Sequence, residues 1–474
     1  MSEETESIAL NHVEAEQLPG ARKESKRERR IRLIRQTGLV IMASMGHFSV
    51  GATLTWPSPA LSDLARDNTT LVGTEMVLTT SQMDMTGSLV SLGSLLGAWG
   101  CGWVVSELGR LRAMQWVVVP YLLGWLANAL APNPSLLLTA RCVLGMACGA
   151  SSVAGTLYVV ELADTSVRGT MASIPTIAIV LGGLYTVWMG YILKWHHLAL
   201  VCALPPIILF LCTFFLPDSP SFLVVKGFKS EASRILRSLR GPYADIDSEV
   251  AQLETHNRAT SGGWRKLLKI QVVKRVVVIV MLFFFQQFCG NYIFMVHTAR
   301  ILQASGAPWD PDMATIIVGI VRVVGAMMSL ALVDHVGRRY CLITSHAINS
   351  SALMLLGIYV HLAEAAEPED NTYSRLNWIP LTCVLVVMFA INFGAHPVPF
   401  TLAAEYFPTN IRGQASSFCY SFGTVIAFLA LQLYSPMQET LTQAGLYWFY
   451  SIVSFLGVLF TCIFVEETSR RAVG

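Results

Sequence analysis

Charged residues are scarce in this chain of 474 residues. Asp, Glu, Lys and Arg make up 14% of it and hydrophobic residues 53%, whereas an ordinary soluble domain is about 25% charged. Residues 37–59 contain neither Asp nor Glu, and other apolar runs are almost as free of charge. This scarcity excludes a soluble fold, because an uncharged run of about 20 residues is what a helix needs to cross a bilayer.

Three further absences narrow the class of protein. The first 36 residues lack an apolar core of their own, so we expect no cleaved signal peptide and expect the first span to direct insertion. The loops carry no nucleophile–base pair and no metal-ligand cluster, so we expect no enzyme, no metal and no cofactor. The ten cysteines lie almost all within apolar runs, which indicates a packing role and not a disulfide framework.

What the chain does contain is a series of apolar runs that predicts an all-α membrane protein with twelve transmembrane helices. Of the 33 Lys and Arg residues, 27 lie in segments on one side of this arrangement and 3 on the other. Because basic residues favour the cytoplasmic side, both termini and the central loop are predicted to be cytoplasmic. The predicted spans are 37–59, 84–106, 113–131, 135–160, 170–193, 195–216, 274–302, 313–333, 340–362, 377–403, 413–436 and 440–465.

The spans fall into two blocks of six, which predicts five segments. In the linker, 229–240 and 244–258 have apolar residues at helical spacing, so we expect short amphipathic helices there. Asn68-Thr69-Thr70 lies in the first outer loop and predicts N-glycosylation at Asn68. The predicted segments are a tail (1–36), a first six-helix bundle (37–216), a cytoplasmic linker (217–273), a second six-helix bundle (274–465) and a tail (466–474).

A charged motif occurs once in each half of the chain. Glu161 and Glu405 each stand seven residues before an Arg-Gly pair, and each follows a long apolar run. We interpret these charges as a latch: opposite charges pair across the bundle interface in one state and separate in another. A single exposed pair contributes about 0–1 kcal/mol, but a network of several biases a two-state equilibrium. The predicted latch residues are Glu161, Arg168, Arg110, Asp334, Arg338, Arg339, Glu405 and Arg412.

Two prolines interrupt the tenth span, in Pro397-Val398-Pro399. They predict a broken membrane helix, because backbone groups freed by proline are tolerated only where a cavity or a neighbour supplies partners. A broken span at the interface of two repeats indicates a hinge and a transport path.

Together these residues resemble the sugar porter family of the major facilitator superfamily, the fold of the facilitative glucose transporters. Residues 56–61 and 216–227 are similar to insect members, including facilitated trehalose transporters. The resemblance covers roughly 37–470 and implies sugar transport by alternating access of two bundles. It is carried by Gly109-Arg110, Arg141, Glu161 with Arg168-Gly169, 217–220, Gln286-Gln287, Asp334 with Gly337-Arg338-Arg339, Pro397 and Pro399, Glu405 with Arg412-Gly413, and Glu467-Thr468.

The resemblance also implies where substrate binds, although much of the family's sugar-contacting set is altered. The family's helix 5 glutamine corresponds to Thr176, its helix 8 asparagine to Arg322, and its helix 10 glutamate and tryptophan to Asn392 and Phe400. Amides can hold sugar hydroxyls and aromatic rings can supply a platform. The candidate substrate-binding residues are Gln286, Gln287, Asn291, Tyr292, Arg322, Asn392, Phe400 and Thr176.

Arg322 is the most unusual of them, because it lies near the middle of the eighth span. A central arginine costs about 2.5–3.5 kcal/mol on insertion scales, and we expect no acidic residue deep in any span to offset it. It either faces a cavity and its substrate or is satisfied by carbonyl groups and water. The same lack of intramembrane acids favours passive facilitated diffusion over proton symport.

The sequence therefore predicts a monomeric uniporter of a sugar, hexose or trehalose-like, in the plasma membrane. Its expected partners are the small-molecule substrate and the lipid bilayer, with no nucleic acid. Two alternatives stay open: a transporter of the same fold for another small organic solute, anionic through Arg322, and a non-transporting sugar sensor.

Overall fold

The computed structural model describes residues 25–164, 167–241, 244–259, 270–304, 310–365, 376–407 and 411–468. Within these ranges the regular structure is helical, apart from one isolated β-bridge between Thr69 and Glu75. The helices form two bundles of six spans, each with its own hydrophobic core. We number the spans in chain order.

The first bundle precedes the linker. Its helices begin where the sequence provides caps: Thr79 and Gln82 form a capping box for span 2, and Asn133 caps span 4. The bounds are Lys26–Leu64 (span 1), Thr80–Leu108 (span 2), Arg110–Trp116 with Val118–Ala129 (span 3), Pro134–Leu162 (span 4), Arg168–Ile192 (span 5) and Trp195–Cys202 with Leu204–Thr213 (span 6).

The linker contains three helices, Pro220–Val225, Lys229–Arg240 and Ile246–Ala259. The second bundle follows it. Its spans are Ile270–Phe288 with Asn291–Ala304 (span 7), Pro311–Val336 (span 8), Arg338–Ala365 (span 9), Ile379–Ala390 with Ile391–Ala395 and Pro397–Glu405 (span 10), Arg412–Gln432 (span 11) and Tyr434–Phe464 (span 12).

The predicted twelve-helix fold is confirmed. In the described ranges, eleven helices are long and apolar enough to cross a membrane, and the remaining span, predicted at 113–131, consists of two shorter helices that meet at Val117. The helix of span 1 begins at Lys26 rather than at 37, because Ser25 and Glu28 form a capping box.

Span 10 is broken before its prolines, as the sequence predicts. Ile391–Ala395 form a π-helical turn, in which the amide of His396 donates to the carbonyl of Ile391 at 2.8 Å. The helix resumes at Pro397, where a missing N–H is tolerated because the first turn of a helix needs no donor.

Spans 2 and 4 pack closely through small residues. A Cβ atom added at Gly97 would lie 1.9 Å from the carbonyl oxygen of Met146, and one added at Gly149 would lie 1.9 Å from that of Ser94. Gly97 of span 2 and Gly149 of span 4 therefore allow the two backbones to touch, as small residues do between membrane helices.

The linker helices lie against one end of the first bundle. The Gln36 amide donates to the Leu239 carbonyl at 2.7 Å, and Arg240 donates to the Leu162 carbonyl at 2.9 Å. At the same end of the bundle, Arg32 of span 1 pairs with Asp164, which follows span 4, at 2.5 Å. We call this end of both bundles the linker face, and the opposite end, beside the loop 65–79, the distal face.

Candidate functional site

A charged cluster closes the linker face of the first bundle. The carboxylate of Glu161, at the end of span 4, accepts hydrogen bonds from Arg110 Nη2 at 2.7 Å and Nε at 3.0 Å. It also accepts one from the hydroxyl of Ser219, which follows span 6. The Arg110 guanidinium lies 5.8 Å from the ring centre of Phe222. The ends of spans 3 and 4 are thereby tied to the segment after span 6.

The second bundle contains the same cluster at the equivalent place. Glu405, at the end of span 10, accepts a hydrogen bond from Arg338 Nη2 at 3.1 Å and one from the hydroxyl of Thr468, which follows span 12. Glu467 accepts from the backbone amides of Arg338 and Arg339 at 3.0 and 3.1 Å. A carboxylate at these first free N–H groups also complements the positive end of the helix dipole.

Only glycine fits at the turn before span 9. Gly337 has a φ of 102°, a conformation that side chains disfavour. A Cβ atom there would lie 2.4 Å from Glu467 Oε2. The absence of a side chain at Gly337 therefore leaves room for the Glu467 carboxylate to bond the first amides of span 9.

Among the described residues, two arginine–glutamate pairs form, Arg110 with Glu161 and Arg338 with Glu405, and each pair lies within a single bundle. In this conformation these four latch candidates therefore join segments of the same bundle, whereas the latch hypothesis has opposite charges pair across the bundle interface in one state and separate in another. Arg339 donates to the Cys462 carbonyl at 2.5 Å, again in its own bundle. The side chains of the other predicted latch residues, Arg168, Asp334 and Arg412, lie outside the described residues.

Sequence reasoning missed Ser219 and Thr468 as partners of the two glutamates. The signal that could have found them is their position, because each directly follows an acidic residue just after the last span of its repeat. The acidic neighbour in the first bundle is Asp218. Burial raises the pKa of Asp218, and the charge of Arg112 partly offsets this effect.

Arg141 anchors the interior of the first bundle. Its side chain is fully buried, Nε donates to the carbonyl of Thr86 and Nη2 to that of Thr53, both at 2.8 Å. The guanidinium lies 5.1 Å from the ring centre of Trp56, close enough for a cation–π interaction. Spans 1, 2 and 4 are thus held together by a charge that contacts two backbone carbonyls and an aromatic ring.

Among the described residues, most polar contacts between the bundles lie at the distal face. Arg66 and Ser62 of the first bundle bond Asp312 at 2.6 and 3.1 Å, and Ser88 donates to Gln432 at 3.0 Å. Farther from the distal face along spans 2 and 11, the exposed side chain of Trp99 donates through Nε1 to Ser421 at 3.0 Å. The bundles are therefore closed against each other at the distal face.

A buried carboxylate belongs to this distal closure. Asp84, one turn into span 2, is 0% exposed; it accepts a hydrogen bond from the Ser435 amide at 3.2 Å, and its Oδ1 lies 3.6 Å from His297 Nε2. His297 stacks on Tyr434 with 4.5 Å between ring centres. The expectation that no acid lies buried in a span is therefore wrong. Asp84 stands at a predicted span boundary, and the second bundle buries it.

Three predicted substrate residues lie around the break in span 10. Gln286, on span 7, donates to the carbonyl of His396 at 2.6 Å, and the Gln287 amide donates to the side-chain oxygen of Gln286 at 3.2 Å. Asn392 lies in the π-helical turn and donates to the Met388 carbonyl at 2.9 Å. The broken helix is thus stabilised by amides from spans 7 and 10.

Phe400 is the centre of an aromatic group beside these amides. Its ring centre lies 5.1 Å from that of Phe283, 5.7 Å from His396 and 5.7 Å from Tyr420. Such an arrangement can present one ring face to a sugar. Sequence reasoning did not single out His396 or Tyr420 as members of this group.

Arg322 faces the first bundle from span 8. Its Nη2 atom lies 3.3 Å from the sulfur of Met295, and a Cβ atom added at Gly183 of span 5 would lie 3.5 Å from Nη1. Tyr292 and His396 lie within electrostatic range of its charge. Arg322 and Tyr292 are both partly exposed. The guanidinium is therefore close to both bundles and to the break in span 10.

Two predicted substrate residues, Thr176 and Asn291, make no described hydrogen bond to the residues around the break in span 10. Thr176 is partly exposed on span 5, two helical turns from Gly183, and no hydrogen bond joins it to the cluster among the described residues. Asn291 is buried at the start of the second helix of span 7. The structure brings the remaining candidates together between spans 7, 8 and 10.

The family follows from a comparison with known sequences. Residues 35–473 match the model of the family described as sugar (and other) transporter. The chain belongs to the sugar porter family of the major facilitator superfamily. It is a multi-pass membrane transporter and not an enzyme, as predicted.

Individual sugar porters resemble the chain over most of its length. The facilitated trehalose transporter Tret1 of Apis mellifera ligustica is 30% identical over 438 residues, 91% of this chain and 86% of that protein. Tret1 of Polypedilum vanderplanki is 27% identical, with 91% and 85% covered. The chain spans half the length of Tret1 from Drosophila yakuba, to which it is 28% identical.

A solved sugar porter shares the fold. The xylose transporter XylE of E. coli, in an inward-open conformation, superposes with a TM-score of 0.76 at 20% identity, over 92% of this chain and 98% of that one. The same protein, described as a proton:xylose symporter and bound to 6-bromo-6-deoxy-D-glucose, gives a TM-score of 0.75.

Glu161→Gln tests the linker-face cluster of this sugar porter. The substitution keeps the size of the side chain but removes the charge that Arg110 and Ser219 contact. Hydrogen bonds to charged groups contribute about 1.5–3 kcal/mol each, so we expect about a tenfold lower maximal uptake of labelled glucose or trehalose by proteoliposomes, with little change in half-saturation.

The matched control is Glu107→Gln. Glu107 lies at the same face and pairs with Lys226 at 3.3 Å, but its side chain is 55% exposed, so uptake should stay within about twofold of the parent. Equal losses in both variants, or none in Glu161→Gln, contradict the role assigned to the cluster.

Proposed function

We propose that the protein carries a sugar, of hexose or trehalose size, across the plasma membrane by facilitated diffusion with alternating access. The observation that carries the proposal is the distribution of contacts among the described residues: Arg110 and Arg338 each pair with a glutamate of their own bundle at the linker face, while most polar contacts between the bundles lie at the distal face. Two such bodies can rock about a site between them. The trehalose transporters among the relatives support trehalose as the first substrate to test. One chain supplies both bundles, so we propose a monomer.

The substrate site in this proposal lies around the break in span 10. Tyr292, Arg322 and Phe400 are partly exposed there and supply a hydroxyl, a guanidinium and a ring face. Gln286, Gln287, Asn291 and Asn392 are the amides that could bond sugar hydroxyls once the bundles move. Thr176 would contribute from the opposite bundle. Amides of this kind fit a sugar, because a buried polar group needs a hydrogen-bonding partner.

We also propose that the linker face is cytoplasmic and the distal face extracellular. The basic residues near the linker face support this orientation. Asn68 lies in the distal loop, where its carbonyl accepts from the Met76 amide at 2.7 Å, and its side chain is partly exposed.

Glycosylation tests the orientation. In eukaryotic cells that express the full chain, digestion with an N-glycosidase should increase its electrophoretic mobility, and Asn68→Gln should abolish that shift. Access of an antibody to a tag in the 65–79 loop only after the cells are permeabilised would contradict the proposed orientation.

Uniport is the mode we propose, although Asp84 is a buried carboxylate. A carboxylate that couples transport to protons must reach water on both sides of the membrane in turn. Asp84 is instead part of the contact between the bundles at the distal face, beside His297 and the Ser435 amide. When the bundles separate there, it would meet only the distal solution.

Uptake into proteoliposomes tests both the substrate class and the mode. We expect labelled trehalose or a hexose to equilibrate without accumulating, and we expect a protonophore and an imposed pH gradient to leave the final level unchanged. Accumulation that a protonophore abolishes would overturn uniport. If Asp84→Asn then removed the accumulation but kept exchange, Asp84 would be the coupling group. A lack of uptake for all hexoses, trehalose and polyols would overturn the sugar proposal.

A further inference from the structure

Arg322 places a permanent positive charge near the middle of the membrane. It is the twelfth residue of span 8, Pro311–Val336, and a helix rises about 1.5 Å per residue, so roughly 16 Å separate it from one end and 21 Å from the other. Its side chain cannot easily reach water at either membrane surface. The groups around it therefore determine how its charge is stabilised.

Those surroundings hold no anion among the residues that the structure describes. No carboxylate lies within 4 Å of the guanidinium, and the hydrogen-bond acceptor described for it is the sulfur of Met295 at 3.3 Å. A thioether is a weak acceptor. Asp312, on the same span, is about 15 Å away along the helix and pairs with Arg66.

The other membrane-embedded arginine of known geometry shows the contrast. Arg141 is fully buried, donates to the carbonyls of Thr86 and Thr53, and lies over the Trp56 ring. Arg322 is partly exposed and faces the opposite bundle near Gly183. One arginine is fixed by its own bundle, whereas the other presents its donors to the space where the bundles meet.

We propose that Arg322 binds the carboxylate of an acidic sugar, so that the transporter prefers sugar acids of hexose size over neutral sugars. The planar guanidinium matches a carboxylate with two parallel hydrogen bonds. An anion there offsets the cost of an unpaired charge at low dielectric. Tyr292 and the amides near the span 10 break then meet the hydroxyl groups. This inference rests on the proposed sugar transport and specifies its substrate class.

A singly charged substrate fits this site better than a phosphate. One guanidinium neutralises one carboxylate, whereas a phosphate carries up to two negative charges. On span 10, His396 lies within electrostatic range of Arg322. The geometry therefore supplies one fixed positive charge for one negative charge.

The test uses the purified full-length chain in proteoliposomes and two probes of nearly equal shape, glucuronate and its neutral amide, glucuronamide. We expect glucuronate to inhibit glucose uptake at a concentration at least tenfold lower than glucuronamide does. Labelled glucuronate should enter, and an inside-positive potential set by valinomycin and a potassium gradient should drive it above equilibrium, while glucose should not accumulate.

Variants locate the effect at Arg322. In Arg322→Gln the ratio of glucuronate to glucose uptake should fall at least tenfold, and in Arg322→Lys, which keeps the charge but loses the planar fork, it should fall less. Arg234→Gln alters an exposed arginine of the linker and should leave the ratio unchanged.

The failures of the two proposals are distinguishable. If glucose is carried while glucuronate neither enters nor inhibits better than glucuronamide, the acidic-substrate inference is overturned and sugar transport stands. If neither glucose nor any other sugar or sugar acid enters, both are overturned. If glucuronate enters equally well in Arg322→Gln, Arg322 is not its binding residue.

Discussion

The constraint on which this structure depends is that the hydrocarbon core of the bilayer offers polar groups no hydrogen-bonding partner. The hydrocarbon core has no water, so each backbone group must bond within the protein and each charge must be paired, solvated in a cavity or kept at the membrane surface. Twelve helical spans meet the first demand, and even the interrupted span 10 keeps its backbone bonded through a π-helical turn and the amide of Gln286. The second demand explains why charges gather at the span ends and why those inside are few.

The charges at the linker face make each bundle a unit. Glu161 and Glu405 accept the same kinds of donor: one arginine from the start of an odd-numbered span and one hydroxyl from the segment after the last span of the repeat. A carboxylate in such a place can hold three chain segments at once. Movement is then easiest between the bundles, where the polar contacts of the described residues include those of Asp84 and Asp312 at the distal face.

Sequence reasoning could predict the features that depend on local pattern. Apolar runs of sufficient length give the spans, and the two prolines of span 10 predict its break. The repeated Glu and Arg-Gly spacing predicts the duplication. The apolar pattern does not predict every helix end. In span 3 the helix divides at Val117, within a continuous apolar run.

Features that depend on packing between distant segments could not be derived in the same way. Asp84 looks like a boundary residue until the second bundle covers it. From the sequence, the latch residues are predicted to pair across the bundle interface. In the structure, Arg110 pairs with Glu161 and Arg338 with Glu405, each within its own bundle. Arg322 was visible as an anomaly, but its position near Gly183 of the opposite bundle required the fold.

Distances between spin labels test most directly whether two rigid bundles move against each other. Exposed Cys462 is first replaced by serine. Labels are then placed in pairs at exposed positions. The first pair, Ser106 and Gly169, lies within the first bundle; the second, Ser106 and His335, spans the linker face; and the third, Glu75 and Thr440, spans the distal face. On addition of a transported sugar, we expect the first distance to stay constant and the other two distances to change in opposite directions. A first distance that changes as much as the others, or two cross-bundle distances that change in the same direction, would contradict this expectation.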